Sequence, residues 1–182
     1  MRRTFPIQTN SLYLRPFIMD DAPKAYENWM SDDDVTEFLT WDTHRSVEDS
    51  EAIIWTWIRE YELGTMEWCI VHKRKEEPIG SISVPQDFPE MKYCEIGYCL
   101  SKEHWGKGYM TEAVKAVTEF LFRNTDYLWV QARCDSENHG SRRCLEKSGY
   151  KQVSVFELPN ERMGGEIRTY YMMRIDRKDI RM

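Results

Sequence analysis

Between Glu103 and Ala113 the chain reads Glu-His-Trp-Gly-Lys-Gly-Tyr-Met-Thr-Glu-Ala. This stretch joins a strand-like run, Tyr93 to Ser101, to an amphipathic helical pattern from Thr111 to Arg123, with Ala113, Val117, Phe120 and Leu121 on one side. Two glycines one residue apart, Gly106 and Gly108, let the backbone approach a ligand with no Cβ in the way. The first-turn N–H groups of the helix and the positive end of its dipole face the same point. A strand, glycine loop and helix in this order make an anion cradle in an α/β setting, and a pyrophosphate is a natural occupant. Two glycines alone equally fit a plain turn that opens a helix. A dinucleotide fingerprint would need a third glycine near Thr111, and a P-loop would need Gly-Lys-Ser/Thr after four spaced residues; neither is present.

The surrounding patterns extend the architecture. Ser11–Phe17 predicts a short strand, and Asp20-Asp21-Ala22-Pro23 a helix start with proline in its first turn. Ser46-x-x-Asp49 is a capping box, followed by Val47, Ile54, Trp57, Ile58 and Tyr61 at helical spacing, with Gly64 placed to end that helix. Trp55 and Trp57 lie two apart on it and so face different ways, one of them toward the core. Glu67–Lys73 and Pro78–Val84 predict a hairpin around the charged tip Arg74–Glu77. Tyr127–Cys134 predicts a strand and Gly140–Ser148 a helix ended by Gly149. Val153–Leu158 and Ile167–Ile175 predict two last strands around a Gly164-Gly165 turn. This order suits a single α/β (α+β) domain over residues 1–182, a mixed, mostly antiparallel sheet with helices on both faces.

Composition narrows the class. With 182 residues, 41% of them hydrophobic, the chain can bury a real core. A net charge of −6 argues against general nucleic-acid binding. The charge is uneven: from Asp20 to Glu62 thirteen acidic residues face three basic ones, a net of −10, which leaves the remainder at +4. No apolar run approaches the roughly 18 residues of a membrane span. The start, Met1-Arg2-Arg3-Thr4-Phe5-Pro6, has no hydrophobic region behind its arginines and predicts no signal peptide. Cys69, Cys94, Cys99, Cys134 and Cys144 are odd in number and form no Cys-x-x-Cys pair, so neither a disulfide framework nor a metal site is expected; buried thiols in a reducing cytoplasm are. His44, His72, His104 and His139 show no metal spacing either.

Trp105-Gly106-Lys107-Gly108-Tyr109-Met110 resembles the acetyl-CoA pyrophosphate loop of the GNAT N-acetyltransferases, Arg/Gln-x-x-Gly-x-Gly/Ala. Trp105 departs from the Arg/Gln position and Met110 from a small residue; the Trp-Gly-x-Gly-Tyr version is similar to the branch that acetylates ribosomal-protein N-termini. About 30 residues on, Asn138-His139-Gly140-Ser141 followed by Leu145-Glu146-Lys147-Ser148-Gly149-Tyr150 is similar to that family's Asn-x-x-Ser…Leu-Glu-Lys-x-Gly-Phe block, and Glu95-Ile96-Gly97-Tyr98 to its central strand.

The resemblance implies that the strands near Tyr98 and Val130 splay apart and that pantetheine lies in the gap, bonded to the backbone of Tyr98, Cys99 and Leu100. It implies that Trp105, Gly106, Lys107, Gly108, Tyr109, Met110 and Thr111 hold the pyrophosphate, that Asn138 bonds the cofactor and that Ser141 sits near the thioester. Glu95 is the candidate base, acting through a water; a surface carboxylate is the plainer reading. Many relatives protonate the departing thiolate with a tyrosine on the last helix, where this chain has Leu145. Ser141 is the candidate in its place, a first-turn serine satisfying its own backbone is the alternative, and a thiol of pKa near 8.5 is a good leaving group without any acid. The expected acceptor is a primary amine, such as a protein or peptide N-terminal α-amine, drawn by the acidic segment if cationic. An antibiotic or polyamine acetyltransferase and a non-catalytic CoA-binding module are the competing readings, and a homodimer stays open.

Overall fold

The computed structural model describes residues 4–160, 162 and 164–180. Met1-Arg2-Arg3, on which part of the no-leader reading rests, lies outside the described residues. Eight strands form one sheet: β1 (Ile7–Gln8), β2 (Leu12–Arg15), β3 (Glu67–His72), β4 (Glu77–Phe88), β5 (Tyr93–Leu100), β6 (Trp129–Asp135), β7 (Lys151–Asn160) and β8 (Glu166–Asp176). Their spatial order is β1-β2-β3-β4-β5-β6-β8-β7. Every neighbouring pair is antiparallel except β5 and β6, which run parallel. A parallel pair needs a long crossover, and the helix α4 (Tyr109–Asn124) supplies it.

The helices divide between the two faces because side chains alternate along each strand. On one face α4 and α5 (His139–Lys147) cover Trp68, Ile70, Ile82, Cys94, Ile96, Leu100 and Val130. On the other, α1 (Ala22–Ala25), the π-helical turn Tyr26–Met30 that continues it, and α3 (Val47–Glu60) cover Cys69, Val71 and Cys99. β3 is therefore buried on both sides, while the far half of the second face, over β6, β8 and β7, lies beyond these helices. A short α2 (Asp33–Thr36) is capped by Asp32, whose side chain accepts from Asp34 N–H.

Local rules placed most elements. Ser46 and Asp49 form the expected capping box of α3, and Gly64 ends its last turn at φ +93°. Trp55 is exposed and Trp57 packs against Phe17, as their spacing required. The structure adds β1, and it carries β4 past the expected end at Val84 to Phe88. Proline cannot donate to a ladder, so a central strand accepts it only in a bulge. Val84 and Pro85 stand opposite Ile96 alone, because the register jumps from Ser83↔Gly97 to Gln86↔Glu95. That bulge sharpens the local twist just where β5 leaves β6.

Candidate active site

The β5–β6 ladder has three rungs: Tyr93↔Trp129, Cys94↔Val130 and Glu95↔Gln131. Beyond Glu95 both strands continue, β5 pairing only with β4 as far as Leu100↔Gly80 and β6 only with β8 as far as Asp135↔Tyr170. The sheet splits there. Val130 and Gln131 are still paired, so β6 leaves β5 at Ala132, two residues past the Val130 near which the opening was expected.

Backbone groups of an antiparallel strand alternate between its two sides. Ser101 N–H donates to Ile79 C=O at 2.8 Å, which fixes the phase. Cys99 and Ser101 turn their backbone to β4, while Tyr98 and Leu100 turn theirs to the split. Of the three residues expected to offer backbone there, Cys99 thus points the other way, and its thiol lies 3.5 Å from Ser81 Oγ. The Leu100 carbonyl already accepts from Trp105 Nε1–H at 2.7 Å, so the indole ties the glycine loop to the strand end.

At that end of the split Gly106 and Gly108 have φ of +72° and +86°, the region where a side chain is strained, and a Cβ on either would meet nothing within 4 Å. Their backbone conformation, rather than packing, calls for glycine. Gly108 caps α4, whose first-turn N–H groups project from the helix end. Met110, the departure from a small residue, turns its side chain into the core beside Ala113 and Val117, away from the loop. Lys107 and Trp105 are both exposed. Tyr109 OH bonds His72 Nε2 at 3.1 Å, and His72 Nδ1 accepts Lys75 N–H, which makes Nε2 the donor to Tyr109. His104 is buried beside both rings; its burial, then the nearby Lys75 and Lys107, hold its pKa below the ordinary value.

The other wall is the start of α5. Asn138 Oδ1 accepts Ser141 N–H at 2.9 Å as the helix cap, which leaves its NH2 as the group that can meet a cofactor. Ser141 Oγ lies 2.9 Å from Tyr98 OH, whose phenol bridges from β5 to the helix after β6. Thr111 O–H approaches Cys144 Sγ at 3.7 Å nearby. Leu145 is fully buried in the core.

Glu95 alternates with the buried Cys94 and Ile96, so its carboxylate stands on the opposite sheet face from Tyr98 and Ser141. Gln131 donates to it at 3.1 Å and in turn accepts from Trp129 Nε1–H at 3.3 Å. Trp129 stacks on Tyr93, Tyr93 on Phe88, and the Arg174 guanidinium covers Trp129 at 4.2 Å. Gln131 and the Tyr98 phenol are the polar partners that sequence reasoning missed. Strand parity from Leu100 would have put Tyr98 on the α5 side; the β5–β6 register that pairs Gln131 with Glu95 has no local signal. Arg162 ties the β7–β8 hairpin tip to the end of α2 and the segment after it, donating to Thr36 C=O, Leu39 C=O and Asp42 at 2.6, 2.8 and 3.0 Å.

The acetyltransferase (GNAT) domain model matches residues 11–151, the stretch that holds the split strand pair, the glycine loop and both helix starts. The chain belongs to the GNAT acetyltransferase family. This GNAT chain is 29% identical to the N-acetyltransferase YoaA of Bacillus subtilis over 153 residues, 83% of this chain and 86% of that one. It is 24% identical to the ribosomal-protein-serine acetyltransferase of Escherichia coli over 106 residues, 58% of this chain and 59% of that one. A GNAT acetyltransferase from Bacillus anthracis has the same fold, with a TM-score of 0.83 at 23% identity over 96% of this chain and 99% of that one. The GNAT chain is accordingly an acetyltransferase, with the mixed, mostly antiparallel sheet of its family.

Proposed function

We propose that the protein moves the acetyl group of acetyl-CoA to a primary amine, and that this amine is the α-amine of a protein or peptide N-terminus. The observation that carries the reading is the split: Tyr98 offers backbone groups to a side where, among the described residues, β5 has no ladder partner, with the glycine loop at its end. An extended pantetheine can add there as a strand would, and the first turn of α4 suits the pyrophosphate. Tyr98, Leu100 N–H, Trp105 to Thr111 and the Asn138 NH2 are the groups that would hold it. Acetyl-CoA supplies an acetyl group already activated as a thioester.

Glu95, fixed by Gln131, draws the proton from the amine through a water on one sheet face. Ser141 gives a proton to the departing sulfur from the other. An α-amine of pKa near 8 needs much less help than a lysine near 10.4. The acidic segment supports a cationic acceptor. Among the described residues its net −10 is reduced by three from outside it, Arg15 on Asp21, Lys102 on Asp34 and Arg162 on Asp42, which leaves −7 to steer a basic partner. The relative from Escherichia coli is named for a ribosomal-protein serine. All five cysteines are buried, and among the described residues no helix is long and apolar enough to cross a membrane, in keeping with work in the cytoplasm.

Thermal unfolding with acetyl-CoA, NAD and ATP, followed by thiol release with an amine panel, tests the reading. Acetyl-CoA at about 100 times its Kd should add roughly 2.7 kcal/mol, and a basic peptide should outpace an acidic one most at low salt. No shift with acetyl-CoA refutes the cofactor site. Turnover of polyamines but not peptides refutes the N-terminal acceptor.

A further inference from the structure

Ser141 behaves unlike an ordinary first-turn serine. Such a residue usually turns its Oγ back onto helix backbone. Here the Ser141 N–H is taken by Asn138, and its Oγ reaches 2.9 Å to the phenol of Tyr98, a residue on the far side of the split. The Ser141 carbonyl lies farther from the phenol, at 3.3 Å, and competes with Oγ for its one proton. The next position one turn along that could carry a hydroxyl, Leu145, is sealed in the core.

We infer that Tyr98 is a positioning residue for proton delivery: its phenol donates to Ser141 Oγ and leaves the serine's own proton to face the split. The inference rests on the role given to Ser141 above. Burial, with Cys144 close by, drives the Tyr98 pKa well above the ordinary phenol value, against the Ser141 hydrogen bond, which lowers it, so the phenol keeps its proton to donate. A hydroxyl that accepts one hydrogen bond becomes a better donor in the next. The balance is simple. The amine nitrogen bonds to the acetyl carbon, the carbon–sulfur bond breaks, and the sulfur takes the Ser141 proton. Water then reprotonates Ser141, the amine's proton leaves by way of Glu95, and Tyr98 keeps its own.

The test is a double-variant cycle on the full chain with an amine that the wild type acetylates. Tyr98→Phe keeps the ring and is expected to lower kcat about tenfold, a part of what a positioned acid contributes, with the acetyl-CoA Kd unchanged within twofold. Ser141→Ala should lower kcat at least as far. Adding Tyr98→Phe to it should then change nothing, because the phenol acts only through the serine. Ser141→Thr keeps the hydroxyl and should keep the effect of Tyr98→Phe. Losses that multiply in the double variant, an unchanged kcat in Tyr98→Phe, or a lost Kd with kcat intact would each overturn the inference. Should Tyr98→Phe fail to fold, the cycle with Tyr98→Met decides in the same way. A kcat untouched by Ser141→Ala also overturns it while wild-type turnover leaves acetyl transfer standing; absent wild-type turnover strikes the reading beneath it as well.

Discussion

Glu67→Gln should flatten the alkaline fall in stability. Glu67 opens β3 opposite Ser83, half-buried, below the end of α3. Burial pushes its carboxyl up to about 8; hydrogen bonds from Ser83 and Ser81 oppose this, and nearby Glu60 adds to it. In the unfolded chain the group titrates near 4.5. The folded state thus holds its proton more tightly, and the stabilisation is complete below about 4.5 and lost as pH climbs toward about 8. Each tenfold in proton affinity is worth about 1.4 kcal/mol, so the ceiling is about 5 kcal/mol. Partial exposure screens the group and brings the expectation to about 2 kcal/mol. Urea unfolding of both proteins at half-unit steps from pH 5 to 9 reads it. The variant should gain on the wild type by about 2 kcal/mol between pH 5 and 8 and hold level above. A difference that stays constant across that window would refute the argument, since other titrating groups cancel between the two proteins.

Gly80→Ala should cost about 3 kcal/mol, or roughly 6–12 °C in Tm, because its Cβ would stand 2.4 Å from the Cys99 carbonyl oxygen and force β4 from β5. Gly97→Ala, whose Cβ finds nothing nearer than Pro85 Cγ at 3.6 Å, is the control and should change Tm little. Asp135→Asn should cost about 2 kcal/mol in urea unfolding: the buried Asp135 accepts from Arg168 at 3.0 and 3.1 Å and from Glu137 N–H at 2.9 Å, and an amide keeps one acceptor oxygen of two.

The elements easiest to read were those set by neighbours in sequence. Ser46 and Asp49 cap their own helix, Gly108 opens α4 and Asn138 opens α5, each within four residues of what it serves. The glycine loop and the Asn138 block were legible for the same reason. The split itself was reached only through the family resemblance, since where a ladder ends depends on residues 36 apart, Glu95 and Gln131. Proline disfavours a central strand, and only the register opposite Pro85 reveals the bulge that tolerates it. The sequence left Ser141 open between an acid and a serine bound to its own helix, because nothing local announces a phenol 43 positions earlier. Part of the acidic segment is spent on Arg15, Lys102 and Arg162, pairings invisible to a charge count.

Among the described residues, three rungs and the Leu128 N–H to Lys92 C=O bond join the plate β1–β5 to the plate β6–β8 across the sheet. The pile of Phe88, Tyr93, Trp129 and the Arg174 guanidinium runs across β4, β5, β6 and β8 at that spot and holds the closed end of the seam. A molecule laid in the open half of the seam is therefore more than a passenger. It stitches two plates along the edge that the ladder leaves open, so amide exchange should slow along Ile96–Leu100 and Ala132–Asp135 together when the seam is filled.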